Sequence, residues 1–502
     1  WSNFSLEGSL AGVVRICQLT QGMPLALEHA ASLIRVCHAG EIADQIESSL
    51  DSLSTAFRNL PERHRSMRAV FDGSWRWLSE EERKVFCRLS VFRGGFTRKA
   101  AEQVAGASLS VLASLVDKSL LRRCPGQGET TRYDLHELVR QYAADRLLEV
   151  GQAEVAQAHD AHLDFFLSLA ERTKQFWGAE QEKQWLKRLE PERSNLNAAL
   201  RWATEHAKAE HALRLNAALV TFWIYSSPKG EASDWLESSL SMPWDKRSLA
   251  TMRARAEALI VAGHAALQTS NLELAKARFQ EGGELCSKLG DRRRLAWSLR
   301  GSGFVCLIRG DLAEAQTFVE ESRSICREIQ NKWCLAWSLY ELGNIALART
   351  ELAQAEQLLN DALELLRQQN KELGAFRSLI SLGHLGRAQG NWLEAKARYG
   401  EALAIQQETG YIQFVAQILE GIAHIAVADN TPEVAVQFFG AAQARRDSIE
   451  MARWAHQDIE YQHSLALTRN QLPAAVWQAA WDEGYLMTHQ QGVVFALNWL
   501  SS

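Results

Sequence analysis

Rings and cations gather in the second half of the 502-residue sequence: Trp297, Arg300, Phe304, Trp337, Tyr340, Asn344, Arg377, His384, Arg387, Gln417, Glu420 and His424. Flat rings beside arginine and histidine suit a peptide or a small polar ligand, held by stacking and charge-assisted hydrogen bonds. The competing use for such rings is packing against neighbouring helices. Hydrolysis is not indicated. Neither a Gly-x-x-x-x-Gly-Lys-Ser/Thr phosphate loop nor an apolar strand ending in magnesium-binding acids occurs, so this stretch is not expected to hydrolyse ATP by itself. No Ser/His/Asp or Cys/His arrangement carries a recognisable signature, and His64 and His264 are expected to be surface or packing residues. The 8 cysteines show no Cys-x-x-Cys pair and no metal-ligand spacing with histidine, so free thiols in a reducing compartment are expected rather than disulfides.

What would bring those rings together is a repeat. Gly263, Gly303, Gly343 and Gly383 recur every 40 residues, with Ala423 at the next place, and Ala275, Ala315, Ala355, Ala395 and Ala435 keep the same interval. A third column is bulky (Phe279, Val319, Leu359, Tyr399, Phe439) and a fourth is small (Gly282, Ser322, Ala362, Ala402, Ala442). Each unit is expected to be two helices joined by a short polar turn such as Arg309-Gly310-Asp311 or Gln389-Gly390-Asn391. Small columns let two helices approach closely, and the bulky column fills the space beside them. The order of columns resembles the tetratricopeptide repeat, stretched to 40 residues, over five units from about Arg253 to Asp447. Stacked pairs build a superhelix whose concave side is lined by the first helix of each pair, and the register puts the ring-and-cation set there.

At this length several packed units are expected. Hydrophobic residues make up 47% and charged residues 23%, with 8 Pro, which fits an ordered globular chain. The net charge of -5 gives no global argument for nucleic acid, but Arg58 to Glu149 holds 17 Lys/Arg against 12 Asp/Glu. No apolar stretch long enough to span a bilayer and no signal peptide is evident, so a cytoplasmic location is expected. The first residue is Trp1, in a segment running straight into a helical pattern, which suggests a fragment of a longer protein.

Upstream of the repeats the pattern changes. Arg68 to Leu78 and Glu80 to Ser90 have helical spacing, with Ser79 as N-cap before three glutamates. Ser119 to Cys124 and Thr131 to Leu135 flank Pro125-Gly126-Gln127-Gly128-Glu129, a hairpin signal that would form a wing. The runs RHRSMRAVFDGSWRWLSEEERKVFCRLSVFRGGFTRKAAEQVAG, LASLVDKSLL and YDLHELVRQYAADRL resemble the winged-helix domain of the signal-transduction ATPases with numerous domains. The likeness is to their bacterial branch, which includes the maltose-regulon activator and antibiotic regulators. Residues 156–247, helical but outside the repeat register, resemble the arm of the same family.

The resemblance implies a mainly α architecture in five parts: 1–57 the helical end of a nucleotide-binding module, 58–150 the winged helix, 151–250 an arm, 251–447 the repeat sensor and 448–502 capping helices. It implies further that Leu135-His136-Glu137 corresponds to the family's Met-His-Asp motif, whose histidine touches the β-phosphate of ADP, with Glu137 departing from the pattern. Gly22-Met23-Pro24 looks like the family's Gly-x-Pro element, whose proline contacts adenine. ADP or ATP would then belong to the full-length protein, without tight binding to this part alone. The partners implied are an inducer (a small molecule, peptide or protein) on the concave face, the protein's own nucleotide-binding domain, and further copies when active. DNA would be reached only through an effector outside this chain, and no membrane is involved. Two other functions fit the sequence: a transcription factor whose winged helix itself binds DNA, and a repeat scaffold with no nucleotide switch.

Overall fold

The computed structural model describes residues 6–34, 37–48, 67–124, 131–172, 182–226, 231–411, 414–449, 453 and 455–501. They fall into two units, Trp1–Ala170 with Lys187–His206, and Glu171–Leu186 with Ala207–Ser502, so the expected arm is shared between them. No helix among the described residues is long and apolar enough to cross a membrane.

In the first unit, Ser79 starts the helix Glu80–Leu89 through a full capping box. Its hydroxyl accepts from the Glu82 amide, and the Glu82 carboxylate accepts from the Ser79 amide. The same carboxylate takes Lys118 Nζ at 2.6 and 2.7 Å and the Ser114 hydroxyl at 2.5 Å. Hydrogen bonds from Lys118, Ser114 and Ser79 hold the Glu82 carboxyl down at about 2. Helices Arg98–Ala105 and Leu109–Asp117 follow, separated by Gly106 in the left-handed region (φ 70°). The expected hairpin forms between Arg122–Cys124 and Arg132–Asp134, antiparallel, with Arg123 opposite Tyr133; its connecting loop, 125–130, lies outside the described residues.

A third strand that the sequence did not announce, Phe96–Thr97, pairs with Arg132–Asp134 on its other side. The chain enters it through Gly94 and Gly95, both at positive φ (75° and 83°), and a Cβ on Gly95 would stand 2.9 Å from the Tyr133 carbonyl oxygen. Asn195 fastens this turn. Its amide donates to the Gly95 carbonyl at 2.8 Å while its oxygen accepts from the Arg93 amide at 2.7 Å. His162, on the helix Gln152–Glu171, is buried against Phe92 and Phe166 beside Asn195.

Burial pushes His162 down to about 3, against which only the Asn195 hydrogen bond acts in the other direction. The folded state therefore refuses a proton that the unfolded chain accepts near pH 6.5. Stability is flat above that pH and falls by about 1.4 kcal/mol per pH unit below it on account of this residue, until the folded value is reached. His159 and His264, also pushed down by burial, act in the same direction, so denaturation midpoints should fall from pH 7 to 4.5 and His162→Gln should reduce the slope; an unchanged slope would contradict the assignment.

The second unit contains the array. Five helix pairs run in order: Leu249–Gln268 with Leu272–Lys288, Arg292–Arg309 with Leu312–Glu328, Lys332–Ala348 with Leu352–Gln368, Glu372–Ala388 with Trp392–Thr409, and Val415–Ala428 with Pro432–Ile449. The columns meet as their sizes require. A Cβ on Gly263 would lie 2.7 Å from Phe279, on Gly303 2.5 Å from Val319, on Gly343 2.7 Å from Leu359 and on Gly383 2.4 Å from Tyr399. Ala275, Ala315, Ala355, Ala395 and Ala435 are fully buried. Between successive helices one residue takes a left-handed conformation: Ser270, Gly290, Gly310, Gln330, Thr350, Asn370, Gly390, Gly410 and Asn430. Asn271, Asp291, Asn331 and Asn391 then cap the next helix through their side chains.

One such turn corrects the cysteine expectation. Cys326 and Cys334, on either side of Gln330, are joined as a disulfide, because the turn brings their Cα atoms to 5.8 Å, inside the range a bridge needs. Cys87, Cys286 and Cys306 are free and buried.

After the fifth pair come helices Ala455–Gln471, Ala474–Leu486 and His489–Ser501. The second packs on Pro432–Ile449 through facing glycines, Gly440 and Gly484. The first does something else, described below.

Candidate functional site

Two places carry the candidate residues, one in each unit. In the first, Pro24 occupies the opening turn of the helix Pro24–Leu33, where its missing N–H leaves no bond unmade. The preceding turn holds Gln21 and Gly22 at positive φ (45° and 75°), and nothing lies within 4 Å of a Cβ built on Gly22. Arg122 of the hairpin donates to the Gln21 side chain at 2.7 Å. His136 caps the helix Glu137–Val150, its Nδ1 accepting from the Leu138 amide at 3.2 Å.

That bond settles the tautomer. With Nδ1 an acceptor, the proton sits on Nε2. Nε2 is buried and has no hydrogen-bond partner among the described residues. Burial, then the charge of Arg122, push the ring's pKa down, while the Thr20 carbonyl acts the other way from outside bonding geometry. The structure therefore brings His136 beside the turn that carries Gly22 and Pro24, and leaves it a neutral N–H donor. Glu137 does not join them; it turns back to Arg140, which grips both carboxylate oxygens. Burial works against the Glu137 charge, but Arg140 outweighs it and the carboxyl stays below its ordinary value.

Leu109–Asp117 is the helix a winged-helix protein would place in a DNA groove. Its exposed positions are Leu109, Ser110, Ala113 and Asp117. Lys118, just beyond, is committed to Glu82. Such a face has little with which to meet phosphate.

In the second unit the inner-face set divides. Toward its beginning, Trp297 lies 4.9 Å from Trp333 between ring centroids. Arg300 reaches Glu341 at 3.3 Å, and Arg377 stands among Phe304, Trp337 and Tyr340. Asn344 is occupied within the array, donating to the Tyr340 carbonyl and accepting from Ser381, both at 2.8 Å. Toward the end, the set is covered by the helix Ala455–Gln471. Arg387 pairs with Glu460, and His424 Nδ1 bonds Ser464 at 2.8 Å. Glu420 is held by Arg446 and Arg453, Gln417 is buried, and His384 bonds Tyr399 at 2.7 Å. Arg387, Glu420 and His424, expected to line an open groove, are thus part of the protein's own packing. The segment read as terminal capping lies against the first helix of the last pair.

Residues 78–148 match a family model described as a winged helix-turn-helix domain, and residues 294–368 match one described as a tetratricopeptide repeat. The chain joins a winged helix-turn-helix domain to tetratricopeptide repeats. This is the pairing expected from the resemblance to the signal-transduction ATPases with numerous domains. A Mycobacterium tuberculosis protein that carries the provisional name of HTH-type transcriptional regulator is 35% identical over 257 residues, 50% of this chain and 28% of its own length. An uncharacterized protein of the same organism is 31% identical over 166 residues, 31% of this chain and 42% of its own. The chain thus spans under half the length of either relative. Among solved structures, a STAND protein with a tetratricopeptide repeat sensor from Pyrococcus horikoshii aligns over 94% of this chain and 74% of its own, at 15% identity and TM-score 0.45. A Rap protein solved with competence and sporulation factor aligns over 68% of this chain and 92% of its own, at 16% identity and TM-score 0.45.

Proposed function

We propose that this chain is the regulatory and inducer-sensing portion of a signal-transduction ATPase with numerous domains, with an output in transcription or another effector step. The observation that carries the proposal is the approach of His136 to Thr20, at the end of the helix that leads into the Gly22–Pro24 turn. Those two motifs lie far apart in sequence, and the nucleotide reading needs them side by side. In that reading the phosphates of ADP supply the acceptor, and the Nε2–H of His136 donates to one of their oxygens. Pro24 would lie against adenine and Gly22 would leave room for it. The repeat array would bind an inducer and favour the open form through its differential affinity for two states, with the arm passing that preference on. Self-association would follow activation.

The Mycobacterium tuberculosis relative named as a transcriptional regulator supports a transcriptional output. Direct DNA reading by this winged helix is disfavoured by the neutral and acidic exposed face of Leu109–Asp117. The test uses the full-length protein. His136→Ala should lose ADP during gel filtration, with activity less dependent on inducer; retention of a stoichiometric nucleotide would refute the switch and leave a repeat scaffold as the reading. Binding of random duplex at about 50 mM salt, where phosphate contacts are strong, would instead restore the DNA-binding alternative.

A further inference from the structure

Arg377 differs from the other arginines of this protein in what its guanidinium touches. Its central carbon lies 4.8 Å from the ring centre of Tyr340, 4.9 Å from Phe414, 5.0 Å from Trp337 and 5.6 Å from Phe304. Nε and Nη2, the two nitrogens of its side-on edge, are buried and have no hydrogen-bond partner among the described residues. The same edge is used elsewhere in the chain to grip both oxygens of one carboxylate: Arg214 holds Glu171 with both bonds at 2.9 Å, and Arg446 holds Glu420 at 2.7 and 2.6 Å. That fork is the geometry guanidinium offers to carboxylate and phosphate.

The charges around Arg377 do not balance. Arg300 and Arg377 both act on Glu341, whose Oε1 goes to Arg300 at 3.3 Å and whose buried Oε2 has no partner among the described residues. His264, under the influence of the same two arginines, is pushed down to about 3 by burial and adds no compensating charge. Two guanidiniums thus share one carboxylate, whose own ionisation burial opposes. A buried cation is ordinarily matched by an anion with good geometry. A third donor, Trp337 Nε1, is also buried without a partner among the described residues. Arg377 as a whole is half-buried, so part of the cluster borders solvent.

We propose that Arg377 and Trp337 form the binding site for an anionic group, a carboxylate or a phosphate, on the ligand of the repeat array. The inference rests on the sensor reading above and names the ligand chemistry that reading leaves open. The anion takes the Nε–Nη2 edge and the indole N–H, and the rings exclude water from the contact, which strengthens it. An apolar part of the ligand stacks on the same rings.

The experiment titrates the full chain by calorimetry and thermal shift with three probes: N-acetyl-Phe-Leu with a free carboxylate, the same dipeptide as its C-terminal amide, and inorganic phosphate. Stabilisation by the free acid, by phosphate or by both, with the amide at least tenfold weaker, is the expected result, and whichever anion acts identifies the source. Arg377→Gln should abolish the response and Arg377→Lys should weaken it about tenfold, because lysine keeps the charge and loses the fork. Trp337→Phe keeps a ring and removes only the third donor; it should weaken binding several-fold, and it serves if Arg377→Gln fails to fold. Equal, measurable binding of acid and amide, no response to either anion, or full anion binding by Trp337→Phe and Arg377→Lys would overturn the proposal. ADP retention is measured in parallel on the full-length protein, which is also titrated with the three probes. Loss of ADP on His136→Ala with no anion response sinks this inference alone, whereas an anion response with ADP retained sinks the nucleotide switch alone.

Discussion

Gly484→Ala is expected to pry the helix Ala474–Leu486 off the last helix pair. A Cβ at this position would lie 2.0 Å from the Gln437 carbonyl oxygen and 2.7 Å from its carbon, and the reciprocal position, Gly440, would put one 2.4 Å from the Trp481 carbonyl oxygen. These neighbours are backbone atoms, which cannot swing aside as a side-chain tip can. The cost should reach about 3 kcal/mol, the upper end for overpacking. Gly400→Ala is the control: its nearest neighbour would be Leu500 Cδ1 at 4.0 Å. Relieved of glycine's helix penalty, that variant should gain about 0.5–1 kcal/mol. Urea denaturation measures both, and equal midpoints for the two variants would contradict the packing described here. Hydrogen exchange should locate the loosening at Pro432–Ile449 and Ala474–Leu486.

Removing the Glu420 carboxylate is the second large perturbation. Arg446 meets both its oxygens, at 2.7 and 2.6 Å, and Arg453 meets one at 2.8 Å. The Arg446 and Glu420 side chains keep only 3% and 9% of their surface exposed. Glu420→Ala would leave buried guanidinium without its counter-ion, an effect on the order of 3–5 kcal/mol. The pair Glu420→Leu with Arg446→Met should cost less, because the most buried guanidinium leaves with its counter-ion, although Arg453 keeps only its Gln443 bond. Chemical denaturation of the three proteins decides it. A double variant as weak as Glu420→Ala would show that shape, and not charge, governs the site.

The array was legible because its packing repeats. The meeting of Gly383 with Tyr399, or Gly303 with Val319, follows from one rule applied every 40 residues, so a size column in the sequence is already a statement about a helix crossing. The hairpin was legible for a similar reason: two apolar-containing runs flanked a turn-rich segment. The strand Phe96–Thr97 was not, because two residues are too few to show alternation; the adjoining Gly94-Gly95 was the available signal. The disulfide escaped because eight residues separate Cys326 from Cys334 and only the turn at Gln330 brings them together.

The candidate sites follow the same division. His136, Gly22 and Pro24 could be named from local motifs, but the tautomer depends on a cap bond to Leu138 that no spacing predicts. On the inner face, the register grouped Phe304, Trp337, Tyr340 and Arg377, which the structure brings together. It could not say which would be met by distant segments. Glu460 and Ser464 reach Arg387 and His424 from a helix outside the period, and nothing periodic in that helix marks its destination.

That helix gives the array a blind end. With Ala455–Gln471 seated along Val415–Ala428, an extended peptide cannot thread past all five pairs as a cord passes through a tube. An occupant long enough to touch every pair would first have to evict this resident stopper and break the Arg387–Glu460 and His424–Ser464 contacts. In the sensor reading proposed above, short guests settling in the earlier pairs would escape that toll, and ligand length would itself be a criterion of selection.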